Sequence, residues 1–137
     1  MIRVVVADDH YLVRQGVRAL LDNAEGIEVI GEAENGEEAL QLVEQLKPDV
    51  VVMDISMPEM DGIRATEKIH ALKNPHTRVV ILSMYANVDL VQQALKKGAT
   101  GYLLKRSTTT ELVQAVVAAN QGKRFLSAAL SSDLPRL

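Results

Sequence analysis

The stretch IRVVVADDHYLVRQGVRALLD, residues 2–22, sets the pattern for the whole chain. Its first six residues form a β-branched apolar run, which is typical of a buried strand. From residue 11 onward apolar side chains recur at helical spacing. The expected buried face of this helix comprises Leu12, Val13, Val17, Leu20 and Leu21. Two aspartates, Asp8 and Asp9, separate the strand from the helix.

The same alternation continues along the chain. Further β-branched runs lie at residues 28–33, 50–54, 78–83 and 100–104, and a segment with helical spacing follows each of them. Asn35 with Glu38, and Thr108 with Glu111, have the spacing of a capping box and predict two helix starts. Alternating strands and helices predict an α/β fold with helices on both faces of a parallel sheet. Five such units fit a flavodoxin-like, doubly wound, five-stranded sheet with strand order 2-1-3-4-5.

Composition narrows the function classes. The chain has 137 residues, no cysteine and a net charge of −3. The absence of cysteine excludes thiol chemistry, zinc–thiolate sites and disulfides, and the acidic balance argues against nucleic-acid or membrane binding by this segment. We find no basic leader and no apolar stretch of membrane-spanning length, so a cytoplasmic protein is expected.

Polar side chains gather where the predicted strands end. Asp8 and Asp9 follow strand 1, Asp54 ends strand 3, Ser83 ends strand 4 and Lys105 follows strand 5. In an open parallel sheet the ligand crevice lies outside these ends, where the strand order reverses. Two carboxylates about 4 Å apart repel by roughly 4 kcal/mol at an effective dielectric near 20. Three of them in one crevice therefore require either a raised pKa or a bound cation.

Magnesium suits this oxygen-rich set best, because it takes few protein ligands and keeps positions open for phosphate oxygens. Lys105 can serve as a counter-ion and Ser83 as a hydrogen-bond donor to a phosphoryl group. Asp54, at the centre, is a candidate nucleophile that would form an acyl phosphate. The predicted chemistry is phosphoryl transfer onto the protein itself.

Each residue also has a simpler interpretation. Asp8 or Asp9 could cap the first helix, Asp54 and Ser83 could be turn residues, and Lys105 could be ordinary surface. The shared position of all five at one sheet edge favours a site instead. The histidines His10, His70 and His76 lie in unrelated segments and are expected to be solvated or locally hydrogen-bonded. The methionines Met53, Met57 and Met60 are expected to be packing residues.

Four segments together resemble the receiver domain of two-component response regulators: ADDH (7–10), VVMDISMPEMDG (51–62), VILSMY (80–85) and GATGYLLK (98–105). The resemblance covers residues 1–121 and implies that Asp54 accepts a phosphoryl group from a sensor histidine kinase. It implies that Mg²⁺ is held by Asp8, Asp9, Asp54 and the backbone carbonyl of Ser56. It further implies that Ser83 and Lys105 bind the phosphoryl oxygens, that Ser83 and Tyr102 form the switch, and that Ser56 and Tyr85 tune hydrolysis.

The segment DDHYLVRQGVRALL (8–21) and the tail segment GKRFLSAAL (122–130) are similar to those of the NarL/LuxR-type subclass. This likeness implies homodimerisation on phosphorylation and DNA binding only through a C-terminal helix-turn-helix domain. Residues 122–137 are too few for such a domain, so we expect them to be a linker or its beginning. Arg106 departs from the family pattern, because many receivers have proline there after a cis peptide bond. The sequence is compatible with either a cis or a trans bond between Lys105 and Arg106.

Three other functions fit the sequence less well. A magnesium-dependent phosphatase with an aspartyl-phosphate intermediate would carry an acid two residues after the nucleophile, where this chain has Ser56. A pseudo-receiver that only mediates interactions would not need the complete acidic set with Lys105. An FMN-binding flavodoxin would carry a hydroxyl-rich loop after strand 1 and more aromatic residues.

Overall fold

A computed structural model describes residues 1–72 and 76–131. The strands are β1 (Ile2–Ala7), β2 (Ile27–Ala33), β3 (Val50–Asp54), β4 (Arg78–Ser83), β5 (Gly101–Leu104) and β6 (Phe125–Leu126). The helices are α1 (Tyr11–Asp22), α2 (Gly36–Leu46), α3 (Gly62–His70), α4 (Val88–Lys96), α5 (Thr108–Asn120) and α6 (Ala128–Ser131), with a 3-10 turn at Lys105–Ser107. None of the helices in these residues is long and apolar enough to cross a membrane.

The sheet is parallel and its strands lie in the order β2-β1-β3-β4-β5-β6. This order confirms the predicted doubly wound, flavodoxin-like topology and adds a sixth strand at the edge. Strand order reverses between β1 and β3, which pair directly from Val4 with Val50 to Ala7 with Met53. The ends of these two strands therefore lie side by side, as the site prediction requires.

Two apolar layers cover the sheet. Alternate strand residues face α1 and α5 on one side, among them Val4, Val52 and Leu82. The intervening residues face α2, α3 and α4 on the other side, among them Val5, Val51 and Ile81. The strands read as continuous apolar runs because both of their faces are buried. The core is aliphatic apart from the buried Tyr102, and the three methionines Met53, Met57 and Met60 belong to it as expected.

Helix α1 is rotated relative to its predicted face. Leu12 is 83% exposed and Val13 is also exposed, so these two assignments to the buried face were wrong. The buried residues of α1 are Arg14, Val17 and Leu21. Their spacing is helical, and the burial of Arg14 turns the helix away from Leu12.

The two predicted capping boxes have different outcomes. At α2, the Asn35 side chain accepts from the Glu38 N–H at 2.8 Å, and Glu38 Oε1 accepts from the Glu34 N–H. At α5, the structure describes Ser107 as the N-cap and gives it no side-chain cap hydrogen bond. The Thr108–Glu111 capping box is therefore wrong, and Glu111 instead accepts from Ser127 Oγ at 2.6 Å and from the Ala128 N–H at 2.9 Å.

Residues beyond α5 pack onto the sheet. β6 pairs with β5, with Gly101 opposite Phe125 and Tyr102 opposite Leu126. Leu130 is fully buried against the same layer as Tyr102. The predicted linker segment 122–137 is thus attached to the domain at least to residue 131, and its remainder lies outside the described residues.

Replacing Ser127 with alanine should destabilise the domain by about 1–2 kcal/mol. Ser127 is fully buried, and its hydroxyl oxygen also accepts from the Leu104 N–H at 2.9 Å, so the alanine variant leaves a buried donor unpaired. Urea unfolding followed by circular dichroism measures the change. Thr109→Ala, an exposed position on α5, is the control and should shift stability by less than about 0.5 kcal/mol. Equal midpoints for Ser127→Ala and the parent protein would show that the attachment contributes nothing.

Candidate functional site

The site forms at the carboxyl edge of the sheet, where β1 and β3 end. Asp54 closes β3 and is 2% exposed, and Asp8 directly follows β1 and is 1% exposed. Asp9 is the next residue and reaches solvent. One ligand atom from each of Asp8, Asp9, His10 and Asp54 lies within 4.8 Å of the others. The sheet topology has therefore brought the three predicted aspartates together.

Lys105 supplies the positive charge of the cluster. It follows β5 and its Nζ lies 3.2 Å from Asp54 Oδ1 and 3.4 Å from Asp8 Oδ2. Its peptide bond to Arg106 is trans, as are all peptide bonds between the described residues. Lys105 is thus a partly buried counter-ion of two carboxylates and not an ordinary surface lysine.

Asp8 is fixed by the backbone around it. Its N–H donates to the Ala33 carbonyl at 3.0 Å, and its Oδ1 accepts from the His10 N–H at 2.8 Å. His10, rather than either aspartate, is the N-cap residue of α1, and the described residues give that helix no side-chain cap. Capping of the first helix therefore does not explain Asp8 or Asp9.

Two carboxylate oxygens of the acidic cluster accept no hydrogen bond from the described residues. Within residues 1–72 and 76–131, Asp8 Oδ2 and Asp54 Oδ2 are buried and have no hydrogen-bond partner. Lys105 Nζ approaches Asp8 Oδ2 as an ion pair but without hydrogen-bond geometry. Buried anionic oxygens without partners cost free energy, so their persistence in one cluster fits a site built for a cation.

The pKa of the Asp54 carboxyl reflects this cost of burial. Burial raises the pKa of Asp54 above its ordinary value, and the neighbouring Asp8 charge raises it further. Lys105 and the Ser56 N–H, which lies 3.3 Å from Asp54 Oδ1, act in the opposite direction without cancelling the rise. A cation bound beside Asp54 would favour the ionised form that a nucleophile needs.

The loop after β3 is held close to Asp54 by Gly62. A Cβ at residue 62 would overlap the Asp54 carbonyl oxygen, so only glycine allows this approach. The Gly62 N–H donates to the Ile55 carbonyl at 3.0 Å, and Asp61 caps α3 through the Arg64 N–H. The Asp-Gly pair therefore anchors the loop that carries Ser56.

Ser83, Tyr85 and Tyr102 form a second cluster beside the carboxylates. Ser83 is fully buried at the end of β4, and its Oγ accepts from the Tyr85 N–H at 2.9 Å. The Tyr102 hydroxyl donates to the Tyr85 carbonyl at 2.9 Å, and its ring is fully buried. Burial raises the pKa of the Tyr102 phenol. The Tyr85 ring is half exposed and lines a groove together with Ser56.

His10 is exposed and its Nδ1 lies 3.1 Å from Asp9 Oδ1, in agreement with the expected solvated or locally bonded side chain. Sequence reasoning missed Arg14, which is buried and donates to the Asp8 carbonyl. Its position three residues before Val17 and seven before Leu21 placed it on the buried stripe, which was the available signal.

Residues 4–117 match the family model described as response regulator receiver domain. The chain belongs to the response regulator receiver domain family. This receiver domain is 39% identical over 134 residues to response regulator GacA of Pseudomonas viridiflava, which covers 98% of this chain and 62% of the relative. It is 41% identical over 135 residues to the transcriptional regulatory protein LiaR of Bacillus subtilis, covering 98% of this chain and 63% of the relative.

A solved structure supports the same family. The receiver domain superposes on a LuxR-family two-component response regulator from Aurantimonas sp. with a TM-score of 0.92 and 35% identity, covering 97% of this chain and 94% of that one. The predicted likeness to NarL/LuxR-type response regulators is therefore confirmed. The chain spans about three-fifths of the length of the two curated relatives, at 62% and 63%.

Proposed function

We propose that this receiver domain is a phosphoacceptor switch in which Asp54 takes a phosphoryl group from a phosphohistidine of a sensor histidine kinase. The observation that supports it most is the buried Asp54 carboxylate, paired with Lys105 Nζ at 3.2 Å and facing Asp8 and Asp9. Lysine and aspartate at this separation suit phosphoryl transfer, which depends on positioning and charge stabilisation.

The residues present fit a magnesium ion. Asp8, Asp9 and Asp54 would hold it with their carboxylates, and Ser56 would add its backbone carbonyl. The two unpartnered oxygens, Asp8 Oδ2 and Asp54 Oδ2, supply ligands of the class that Mg²⁺ prefers. When bound, the ion neutralises charge on the phosphoryl oxygens and on the acidic cluster.

In the proposed transfer, an Asp54 carboxylate oxygen forms a bond to phosphorus while the bond from phosphorus to the kinase histidine nitrogen breaks. The electron pair of the broken bond stays on the imidazole, which takes up a proton. Lys105 stabilises the phosphoryl oxygens as a point charge, and Ser83 donates its hydroxyl to one of them. Water later hydrolyses the acyl phosphate, and Ser56 and Tyr85 line the groove from which it would approach.

The switch couples Ser83 to Tyr102. A Ser83 hydroxyl that turns toward a phosphoryl group gives up its bond from the Tyr85 N–H, which frees the loop carrying the Tyr85 carbonyl. That carbonyl is the acceptor for the Tyr102 hydroxyl, so the two residues respond together. The Tyr102 ring is already buried here, so we assign the change on phosphorylation to the loop after β4.

The expected readout is homodimerisation and control of transcription. DNA binding would belong to a further C-terminal domain, with residues 1–121 as the receiver and 122–137 as a linker or the beginning of that domain. The name of the relative LiaR, a transcriptional regulatory protein, supports such an output. The cytoplasm is the compartment in which we place this signalling step.

Incubation with acetyl phosphate and Mg²⁺ tests the acceptor. Intact-mass spectrometry should find one labile phosphoryl adduct on the parent protein and none on Asp54→Asn. Asp22→Asn, an exposed aspartate on α1, is the matched control and should be modified like the parent. An adduct on Asp54→Asn would place the acceptor elsewhere, and no adduct on any protein would favour the pseudo-receiver. Sustained hydrolysis of p-nitrophenyl phosphate would favour the phosphatase.

A further inference from the structure

Arg14, on helix α1, links the backbone of Asp8 to Glu32 on the neighbouring strand β2. Although charged, it is only 6% exposed. Its Nη1 donates to the Asp8 carbonyl at 2.7 Å, and its Nε donates to Glu32 Oε1 on β2 at 2.8 Å. The planar guanidinium thus joins one backbone acceptor and one carboxylate with fixed geometry, which a lysine ammonium does not reproduce.

Glu32 is itself held by several donors. Besides Arg14, Gln15 Nε2 donates to Glu32 Oε1 at 2.7 Å, and Arg18 Nη1 donates to Glu32 Oε2. Burial acts to raise the pKa of Glu32, but the hydrogen bonds from Arg14 and Arg18 outweigh it and the pKa is lowered. Glu32 is therefore a fixed anion that orients the Arg14 fork toward Asp8.

Both backbone polar groups of Asp8 are directed away from the crevice. The Asp8 N–H donates to the Ala33 carbonyl of β2, and the Asp8 carbonyl accepts from Arg14. These bonds hold the backbone at the point where repulsion among Asp8, Asp9 and Asp54 would push the loop outward. A carboxylate on an anchored backbone loses less freedom when it binds an ion.

We infer that Arg14 is a positioning residue, which holds the Asp8–Asp9 turn in the ion-binding arrangement before the ion arrives. The inference rests on the proposed magnesium site. Arg14 does not touch the ion or the phosphoryl group, and it acts through the Asp8 carbonyl. Partners that orient metal ligands commonly change metal affinity by about 10–100-fold when they are removed.

A magnesium titration of the 137-residue chain followed by ¹H–¹⁵N NMR tests this role. Arg14→Lys keeps the charge and loses the fork, and we expect its Mg²⁺ affinity to fall about tenfold. Arg18→Lys is the matched control, because Arg18 shares helix α1 and the Glu32 carboxylate but has no bond to Asp8. Its Mg²⁺ affinity should stay within about twofold of the parent.

Hydrogen exchange in the metal-free state gives a second readout that does not depend on the ion. The Asp8 amide should exchange about tenfold faster in Arg14→Lys, while amides in the centre of β3 keep their rates. Unchanged affinity and unchanged Asp8 exchange in a folded Arg14→Lys would overturn the inference, as would equal losses in both lysine variants. Absence of Mg²⁺ binding by the parent protein would instead contradict the proposed magnesium site.

Discussion

Replacing Lys105 with methionine should destabilise the metal-free protein by about 2–3 kcal/mol, less than for a fully buried pair because Lys105 is 20% exposed. The lysine ammonium faces Asp54 Oδ1 at 3.2 Å and Asp8 Oδ2 at 3.4 Å. Methionine fills similar space but leaves both buried carboxylates without their counter-charge. Urea denaturation in the presence of EDTA measures the loss of unfolding free energy.

A double variant supplies the control for this prediction. In the Asp54→Asn background one of the two carboxylates is already neutral, so Lys105→Met should cost less stability there than in the parent protein. The coupling energy between residues 105 and 54 then measures the ion pair. A Lys105→Met protein as stable as the parent, or an equal cost of Lys105→Met in the parent and in the Asp54→Asn background, would show that the pair contributes no net stabilisation.

The Asp54→Asn variant should be more stable than the parent by about 1–3 kcal/mol at neutral pH without metal, because it removes a buried carboxylate whose Oδ2 has no hydrogen-bond partner among the described residues. Burial and the neighbouring Asp8 raise the pKa of Asp54, which means that folding disfavours the ionised carboxylate. Asparagine has nearly the same shape and no charge. Thermal unfolding in EDTA, with Asp22→Asn as the exposed control, measures the gain.

The pH dependence of this gain follows from the direction of the pKa shift. Well below the ordinary carboxyl pKa of 3.8, Asp54 is protonated in both folded and unfolded protein and imposes no charge cost. As pH rises through that value toward the higher folded pKa, the parent loses stability relative to the variant. The stability difference should therefore be absent in acid, grow above about pH 4 and become constant once the pH exceeds the higher folded pKa. A difference that is constant with pH, or a less stable variant, would contradict this explanation.

The sheet was predictable because each strand carries its own local signal. A β-branched run buried on both faces needs no distant partner to be recognised, and the end of such a run places Asp54 or Ser83 at a known sheet edge. The strand order then follows from the doubly wound fold, and with it the meeting of Asp8, Asp9 and Asp54. β6 was missed because Phe125 and Leu126 form a strand only through β5.

The remaining errors share a physical cause, since long-range partners determine those positions. Glu111 has the spacing of a helix cap but bonds to Ser127, sixteen residues away. Arg14 was not identified because sequence alone does not show Glu32 and the Asp8 carbonyl as its partners. Local propensity is a weak guide wherever a buried polar group finds a tertiary partner.

Isothermal titration calorimetry with Mg²⁺ tests the central claim, that Asp8, Asp9 and Asp54 tolerate one another by sharing a cation. We expect a single saturable Mg²⁺ site on the parent protein, with affinity reduced at least about tenfold in Asp9→Asn and in Asp54→Asn. Asp22→Asn should bind Mg²⁺ like the parent. No detectable Mg²⁺ binding by the parent, or parental affinity in both Asp9→Asn and Asp54→Asn, would contradict the claim.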